Sequence, residues 1–147
     1  MGAFILNMNL ERDNHSDDQL KQIYKLRNIA VVGMSTSPDK PGHFVPKYLL
    51  KLGYNVIPVN PNAAEILGRR SFHRVSEITE QVDIVNVFRK SDDVYPVIQD
   101  AIEKKDVQII WLQEGIHNEK AERLAQAKGI DVLFNRCMMA EHMRLFK

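Results

Sequence analysis

The sequence contains few of the features that would assign a protein to a specialised class. Cys137 is the only cysteine, so an intrachain disulfide framework is excluded and a thiolate metal cluster is nearly so. No run approaches the roughly 18 apolar residues of a membrane span. The formal net charge of +1 gives no electrostatic reason to expect nucleic acid or a membrane surface as a partner. These absences predict a cytoplasmic protein with an ordinary apolar core.

The composition is typical of a soluble globular protein of single-domain size. Hydrophobic residues make up 44% of the 147 residues and charged residues 27%, which is enough apolar material for a core. We expect a flexible N-terminal arm over residues 1–15 and a single domain over residues 16–147, because no linker or repeat interrupts the latter. Ser16 and Gln19 form a predicted capping box, which marks the start of the first helix.

Short, continuous apolar runs alternate with segments of helical periodicity. The apolar runs cover residues 28–33, 55–59, 83–87, 107–112 and 130–134. The helical segments cover residues 44–52, 92–105 and 119–128, with one more helix after Ser16 and a last one around Met138. This alternation predicts an α/β, Rossmann-like, doubly wound parallel sheet with helices on both faces. Ser71 and Phe72 could add a short edge strand, and Pro58 is expected near the carboxyl end of its strand.

The loops at the carboxyl ends of the strands hold the candidate site, because ligands of open parallel sheets bind there. After the first strand, Gly33 allows a tight turn. Ser35, Thr36 and Lys40 then offer hydroxyl, amide and ammonium groups to an anion just ahead of a helix. Arg89, after a later strand, suits phosphate oxygens because its guanidinium is a planar fork. The alternative for Arg89 is a solvated loop charge.

Two absences weigh against a nicotinamide cofactor without excluding it. Only Gly33 and Gly42 occur in the first loop, so the dinucleotide fingerprint is missing, and the chain has no P-loop. The second strand ends in Asn60 and Pro61, where NAD-binding domains offer an Asp or Glu to the ribose. An NAD(P)-binding oxidoreductase therefore stays an alternative to a protein with a different nucleotide ligand.

Several stretches, in order along the chain, resemble one family. They are residues 31–35 with Pro38, Val45 with 48–49, 53–61, 65–68, 82–89, 111–116, 118–119 and 135–138. From about Ile29 to Leu145 the sequence is similar to the small, single-domain CoA-binding proteins. These are related to the CoA-binding domain of the succinyl-CoA synthetase α subunit.

The resemblance implies a sheet of strand order 3-2-1-4-5-6 with coenzyme A, or an acyl-CoA, across the strand ends. It implies a diphosphate near Gly33, Ser35 and Lys40, and an adenosine near the second strand's exit. The cofactor-binding residues expected from it and from the strand ends are Gly33, Ser35, Thr36, Lys40, Val45, Asn60, Pro61, Val87, Phe88, Arg89, Gln113 and Glu114. Lys40 stands where relatives often have arginine, and Gly42–His43 where a Ser–aromatic pair is common.

The function expected from this pattern is binding of coenzyme A without catalytic chemistry of its own, because no catalytic set is visible. The alternatives are the NAD(P)-linked oxidoreductase, a nucleotide-binding subunit of a CoA ligase that acts with a partner chain, and a regulatory protein. A small-molecule nucleotide is the expected partner, and the sequence leaves a homodimer or a protein partner open.

Three reactive side chains each have two interpretations. Cys137 is either a small buried residue or a thiol near the pantetheine end of the ligand. His117 is expected at the surface rather than in the role of the phosphorylated histidine of a synthetase α subunit, which belongs to a second domain. Glu114 is expected to be a polar strand-exit residue rather than a general base. The histidines are scattered without ligand spacing, so no metal site is predicted.

Overall fold

The computed structural model describes residues 11–147. The helices are α1 (Asp17–Ile23), α2 (Pro41–Lys51), α3 (Val94–Ala101), α4 (Glu119–Ala127) and α5 (Met138–Phe146). The strands are β1 (Asn28–Val32), β2 (Asn55–Val59), β3 (Glu65–Ile66), β4 (Arg69–Arg70), β5 (Ile84–Val87), β6 (Ile109–Leu112) and β7 (Asp131–Leu133). The capping box at the start of α1 is present: the Ser16 hydroxyl accepts from the Gln19 N–H, and the Ser16 N–H donates to the Gln19 side chain.

Five parallel strands form the main sheet in the order β2-β1-β5-β6-β7, which confirms the Rossmann-like α/β fold. Beyond β2, a single parallel bridge joins Val59 to Phe72, where the short edge strand was expected. With this bridge counted as the third strand along the chain, the arrangement agrees with the order 3-2-1-4-5-6. β3 and β4 lie apart as a small antiparallel hairpin.

Pro58 lies inside β2 without interrupting the ladder between β2 and β1. Its carbonyl accepts the Phe72 N–H at 3.0 Å on the outer side of the strand. The nitrogen and the carbonyl of one strand residue point the same way, so the missing N–H of Pro58 faces the outer edge. The sheet therefore loses no hydrogen bond between β1 and β2.

The sheet is buried on both faces because successive strand residues point to opposite sides. On β1, Ile29 and Val31 pack with α1, α2 and the start of α5, whereas Ala30 and Val32 pack with α3 and α4. All four side chains are buried. This two-sided core fixes the strand ends as a rigid platform for the loops that follow them.

The predicted flexible arm is described only in its last five residues, 11–15, and residues 1–10 lie outside the described residues. The Asp13 carboxylate accepts hydrogen bonds from the Arg136 guanidinium and from the Phe134 N–H, each at 2.9 Å. The two imidazole nitrogens of His15 lie 2.6 Å from the carboxylates of Asp13 and Asp131. Residues 11–15 are thereby attached to the β7 edge of the sheet. Within the described range, no helix is long and apolar enough to cross a bilayer.

Candidate functional site

A cavity of about 720 Å³ lies over the carboxyl ends of β1, β2, β5 and β6. It brings together ten of the twelve residues expected at the site. They are Gly33, Ser35, Thr36, Lys40, Asn60, Pro61, Phe88, Arg89, Gln113 and Glu114. Residues from four loops, up to about 80 positions apart in the sequence, meet here because parallel strands end at one edge of the sheet. Their contact with a ligand stays a prediction.

The other two expected residues, Val45 and Val87, lie below the cavity rather than on its surface. Neither side chain has solvent exposure. Val45 packs α2 onto one face of the sheet, and Val87 belongs to the core on the opposite face. Both therefore support the strand-end loops from within the core.

Gly33 allows the exits of β1 and β5 to approach each other closely. Its φ is +80°, a backbone conformation that favours glycine, and its N–H donates to the Val59 carbonyl at 3.1 Å. A Cβ at this position would lie 2.7 Å from the Phe88 carbonyl oxygen. No side chain fits there, so the turn expected after the first strand has a steric basis in the neighbouring strand.

The loop from Ser35 to Gly42 leads into the N-terminus of α2 and leaves backbone donors free. The Ser35 N–H donates to the Gly42 carbonyl at 2.9 Å, and the Ser37 N–H donates to the Ser35 hydroxyl at 3.0 Å. The N–H groups of Thr36 and Gly42 donate to no acceptor in the described part of the chain. Free amides just before a helix and in its first turn, as those of Thr36 and Gly42 are, form a site suited to an anion.

The cavity carries an excess of positive charge. Lys40, Arg89 and Lys90 line it, and Glu114 is the single carboxylate among the described residues of its lining. None of the three cations forms an ion pair with another residue in the range 11–147. A ligand with more than one phosphate charge fits this balance, since the cations have no internal partner to give up.

Asn60 ties two loops together instead of offering a free side chain. Its Nδ2 donates to the Met34 carbonyl at 2.9 Å, and its Oδ1 accepts from the Asn62 N–H at 2.7 Å. Its backbone N–H donates to the Phe72 carbonyl at 2.9 Å. Each side-chain atom thus makes one hydrogen bond within the protein and keeps the capacity for one more, so a contact of Asn60 with a ligand stays a prediction.

Gln113 is held from below by a buried amide that the sequence reasoning missed. Asn86, in the middle of β5, is fully buried, and its Nδ2 donates to the Trp111 carbonyl and, at 3.3 Å, to the Gln113 Oε1. The Met138 N–H donates to the same oxygen. The signal in the sequence is a single asparagine inside an otherwise apolar strand, where a buried amide needs partners.

A second cavity, of about 310 Å³, lies next to the first and was not expected. The two share Gly33, Pro61 and Arg89. Apolar side chains form much of the second cavity, namely Val32, Val59, Pro61, Pro96 and Val97. His73, Arg74, Asp93 and Asp100 complete its lining. A continuous surface therefore runs from an apolar cavity, past Arg89, to the polar loop of the first cavity.

The reactive side chains singled out in the sequence are engaged in local structure. Cys137 is the N-cap of α5, where its Sγ accepts from the Ala140 N–H. His117 contacts the buried Glu122 carboxylate at 2.8 Å and stacks on the Phe134 ring. Glu114, by contrast, lines the first cavity. Within residues 11–147, no group of three or more His, Cys, Asp or Glu side chains has the arrangement of a metal site.

Known proteins resemble the chain over most of its length. A family model described as a CoA binding domain matches residues 27–143. The uncharacterized protein YneT of Bacillus subtilis (strain 168) is 38% identical over 130 residues, which is 88% of this chain and 96% of that protein. The structure of a hypothetical protein from Pyrococcus horikoshii OT3 superposes with a TM-score of 0.88 at 34% identity, covering 91% of this chain and 94% of the other.

A longer relative has a named activity. The α subunit of ADP-forming acetate–CoA ligase II from Pyrococcus furiosus is 33% identical over 129 residues, which is 81% of this chain but 28% of that subunit. The chain thus corresponds to about a quarter of the ligase subunit. Together with the family model, which matches most of this chain, these similarities make the assignment plain. The chain belongs to the CoA-binding domain family and is related to ADP-forming acetate–CoA ligase subunits.

Proposed function

We propose that this protein binds coenzyme A, or an acyl-CoA, across the carboxyl ends of its parallel strands and has no catalytic chemistry of its own. One observation carries the proposal. Amides and three cations that have no partner among residues 11–147 line one cavity, and a largely apolar cavity adjoins it. A nucleotide fits these two neighbouring cavities, because its diphosphate suits the amides and cations and its flat base suits the apolar surface.

The two cavities divide the ligand between them. The adenine ring occupies the apolar cavity between Val59, Pro61 and Val97. The diphosphate lies at the Thr36 and Gly42 amides, and Arg89, which lines both cavities, reaches the phosphates from the opposite side. The pantetheine arm then follows the first cavity past Phe88 towards Gln113 and Glu114, the residues at its far end.

A nicotinamide cofactor fits the same surfaces less well. The exit of β2 offers no carboxylate to a ribose, because Asn60 and Pro61 stand there, and the Asn60 side chain already holds Met34 and Asn62. Coenzyme A makes no such demand. The expected preference for coenzyme A therefore rests on the absence of a carboxylate at the exit of β2, as well as on the loop after β1.

A comparison of ligands by thermal unfolding tests the proposal. A ligand that binds only the folded state raises the unfolding temperature according to its affinity. We expect coenzyme A to raise it more than NAD or NADP at equal concentration, with acetyl-CoA close to coenzyme A. Equal or greater protection by NAD would contradict the proposal. If none of these ligands raised the unfolding temperature, the result would contradict a nucleotide site of any kind.

One observation supports a second candidate, a nucleotide-binding subunit of a CoA ligase that acts with a partner chain. The Pyrococcus furiosus relative is named as the α subunit of such a ligase, and this chain corresponds to 28% of it. Co-purification of the tagged protein from its native cells would distinguish the two. A stoichiometric partner that confers acyl-CoA synthesis with a nucleoside triphosphate supports the subunit, and isolation of the chain alone with coenzyme A bound supports the independent binding protein.

A further inference from the structure

Helix α2 contains a proline in its interior, and this proline leaves one carbonyl of the first turn without a helical donor. Pro46 has no N–H to donate to the carbonyl of Gly42, four residues earlier, and its ring crowds that oxygen. The Gly42 carbonyl instead accepts the N–H of Ser35, at 2.9 Å, from the loop after β1. The interrupted helix thus provides the acceptor that fastens the loop.

The other side of Ser35 is fastened by a buried histidine of the same helix. The ring Nδ1 of His43 lies 2.8 Å from the Ser35 carbonyl oxygen. Because a carbonyl only accepts, Nδ1 carries the hydrogen and donates it. The His43 side chain is buried and Ser35 is half-buried, so this hydrogen bond is partly shielded from water. Helix α2 therefore holds Ser35 at both its N–H and its carbonyl.

This arrangement requires glycine at position 42. A Cβ on Gly42 would lie 2.9 Å from the Gly33 carbonyl oxygen and 3.5 Å from the Ser35 nitrogen. The first turn of α2 therefore packs directly on the turn after β1, backbone against backbone. With Ser35 fixed, the free N–H groups of Thr36 and Gly42 are held in the wall of the first cavity.

We propose that Pro46 and His43 are positioning residues: they hold the Ser35 peptide in the geometry that presents the Thr36 and Gly42 amides to the diphosphate of the ligand. This inference rests on the proposed function. Neither residue lines the cavity, so both act through Ser35. Binding a phosphate to a loop that is already ordered avoids the entropy cost of ordering it on binding.

The Pro46→Ala variant separates positioning from stability. Alanine restores the N–H at position 46, which competes with the Ser35 N–H for the Gly42 carbonyl. We expect the Kd for coenzyme A to rise about fivefold to tenfold, the effect of one lost hydrogen bond. The unfolding temperature should stay close to that of the wild type, because the new helical hydrogen bond offsets the lost packing of the ring. A Kd equal to that of the wild type would overturn the role of Pro46.

The His43 variants form a matched pair. In His43→Asn, the side-chain amide nitrogen can take the place of Nδ1 and donate to the Ser35 carbonyl, whereas in His43→Leu no donor remains. We expect His43→Leu to weaken binding about tenfold and His43→Asn to restore most of the affinity. Lys47→Ala, at an exposed position of the same helix, serves as the control. Equal loss in both His43 variants would show a packing role only.

A readout without ligand separates failure of this inference from failure of the proposed function. In the wild type, the Ser35 amide proton should exchange slowly with solvent, and exchange should be faster in Pro46→Ala. Unchanged exchange would refute the fastening of Ser35 even if coenzyme A binds. If the wild type binds no coenzyme A, the proposed function fails, and with it the positioning role, whereas altered exchange still establishes the fastening.

Discussion

Replacement of Arg89 by alanine should weaken coenzyme A binding about tenfold and leave the folded state unchanged. Arg89 lines both cavities and forms no ion pair within the described residues, so its removal leaves no buried charge without a partner. A hydrogen bond to a charged group contributes about 1.5 to 3 kcal/mol. We take the lower end because the arginine is exposed in the free protein, and about 1.4 kcal/mol corresponds to a factor of ten in Kd.

Isothermal titration calorimetry with three variants checks this prediction. Arg89→Lys keeps the charge but loses the planar fork, so its affinity should lie between those of the wild type and Arg89→Ala. Lys128→Ala removes an exposed cation next to the amino ends of the strands and should bind as the wild type does. Raising the salt concentration should weaken the wild type more than Arg89→Ala. Equal affinity of Arg89→Ala and the wild type would refute the placement of the phosphates.

Two further predictions concern stability. Gly33→Ala places a Cβ against the Phe88 carbonyl at a positive φ, so we expect a loss of about 2 kcal/mol or more in the free energy of unfolding, measured by urea titration; a smaller loss would show that the turn can relax. The hydrogen bond to Asp13, together with the contact to Asp131, raises the pKa of His15 in the folded protein. Protonated His15 therefore stabilises the folded state in full below the unfolded pKa of about 6.5, and this stabilisation is lost as pH rises through the higher folded pKa. The urea midpoint of the wild type should therefore fall between about pH 6 and pH 9 more than that of His15→Ala, and parallel profiles would contradict this.

The sheet could be predicted from the sequence because a strand buried on both faces leaves a local signature. The continuous apolar runs of residues 28–33 and 83–87 could belong to little else in an alternating α/β pattern. The bounds of the helices were less accurate. The predicted helix 92–105 is a 3-10 turn, Ser91–Asp93, followed by the shorter helix Val94–Ala101, because the ends of a helix often tighten into 3-10 turns or fray.

The start of α2 shows another limit of local patterns. The sequence predicted a helix from residue 44, but the helix begins at Pro41, where proline is favoured because its missing N–H costs nothing at a helix start. Lys40, the N-cap, makes no side-chain cap, so the usual signal was absent. Pro46 also favours a start close to it, since proline is tolerated in the first turn of a helix but not in its interior.

Residues of the candidate site could be predicted from the sequence where they directly follow a recognisable strand. Contacts between segments that are distant in the sequence could not. Gly33 and Lys40 follow a recognisable strand, so their place at the cavity was expected. The hydrogen bond from Asn60 to the Met34 carbonyl joins residues 26 positions apart, and the second cavity brings Val59 next to Pro96. Only the packed fold shows such contacts.

Titration of ¹⁵N-labelled protein with coenzyme A, followed by two-dimensional NMR, tests the central claim most directly. The amide signals of Thr36 and Gly42 should show the largest shifts and move downfield, because both N–H groups gain a phosphate acceptor and have none among the described residues of the free protein. The Arg89 side-chain signal should shift with them. Saturable shifts elsewhere with these two amides unmoved, or no shifts at all, would contradict the account.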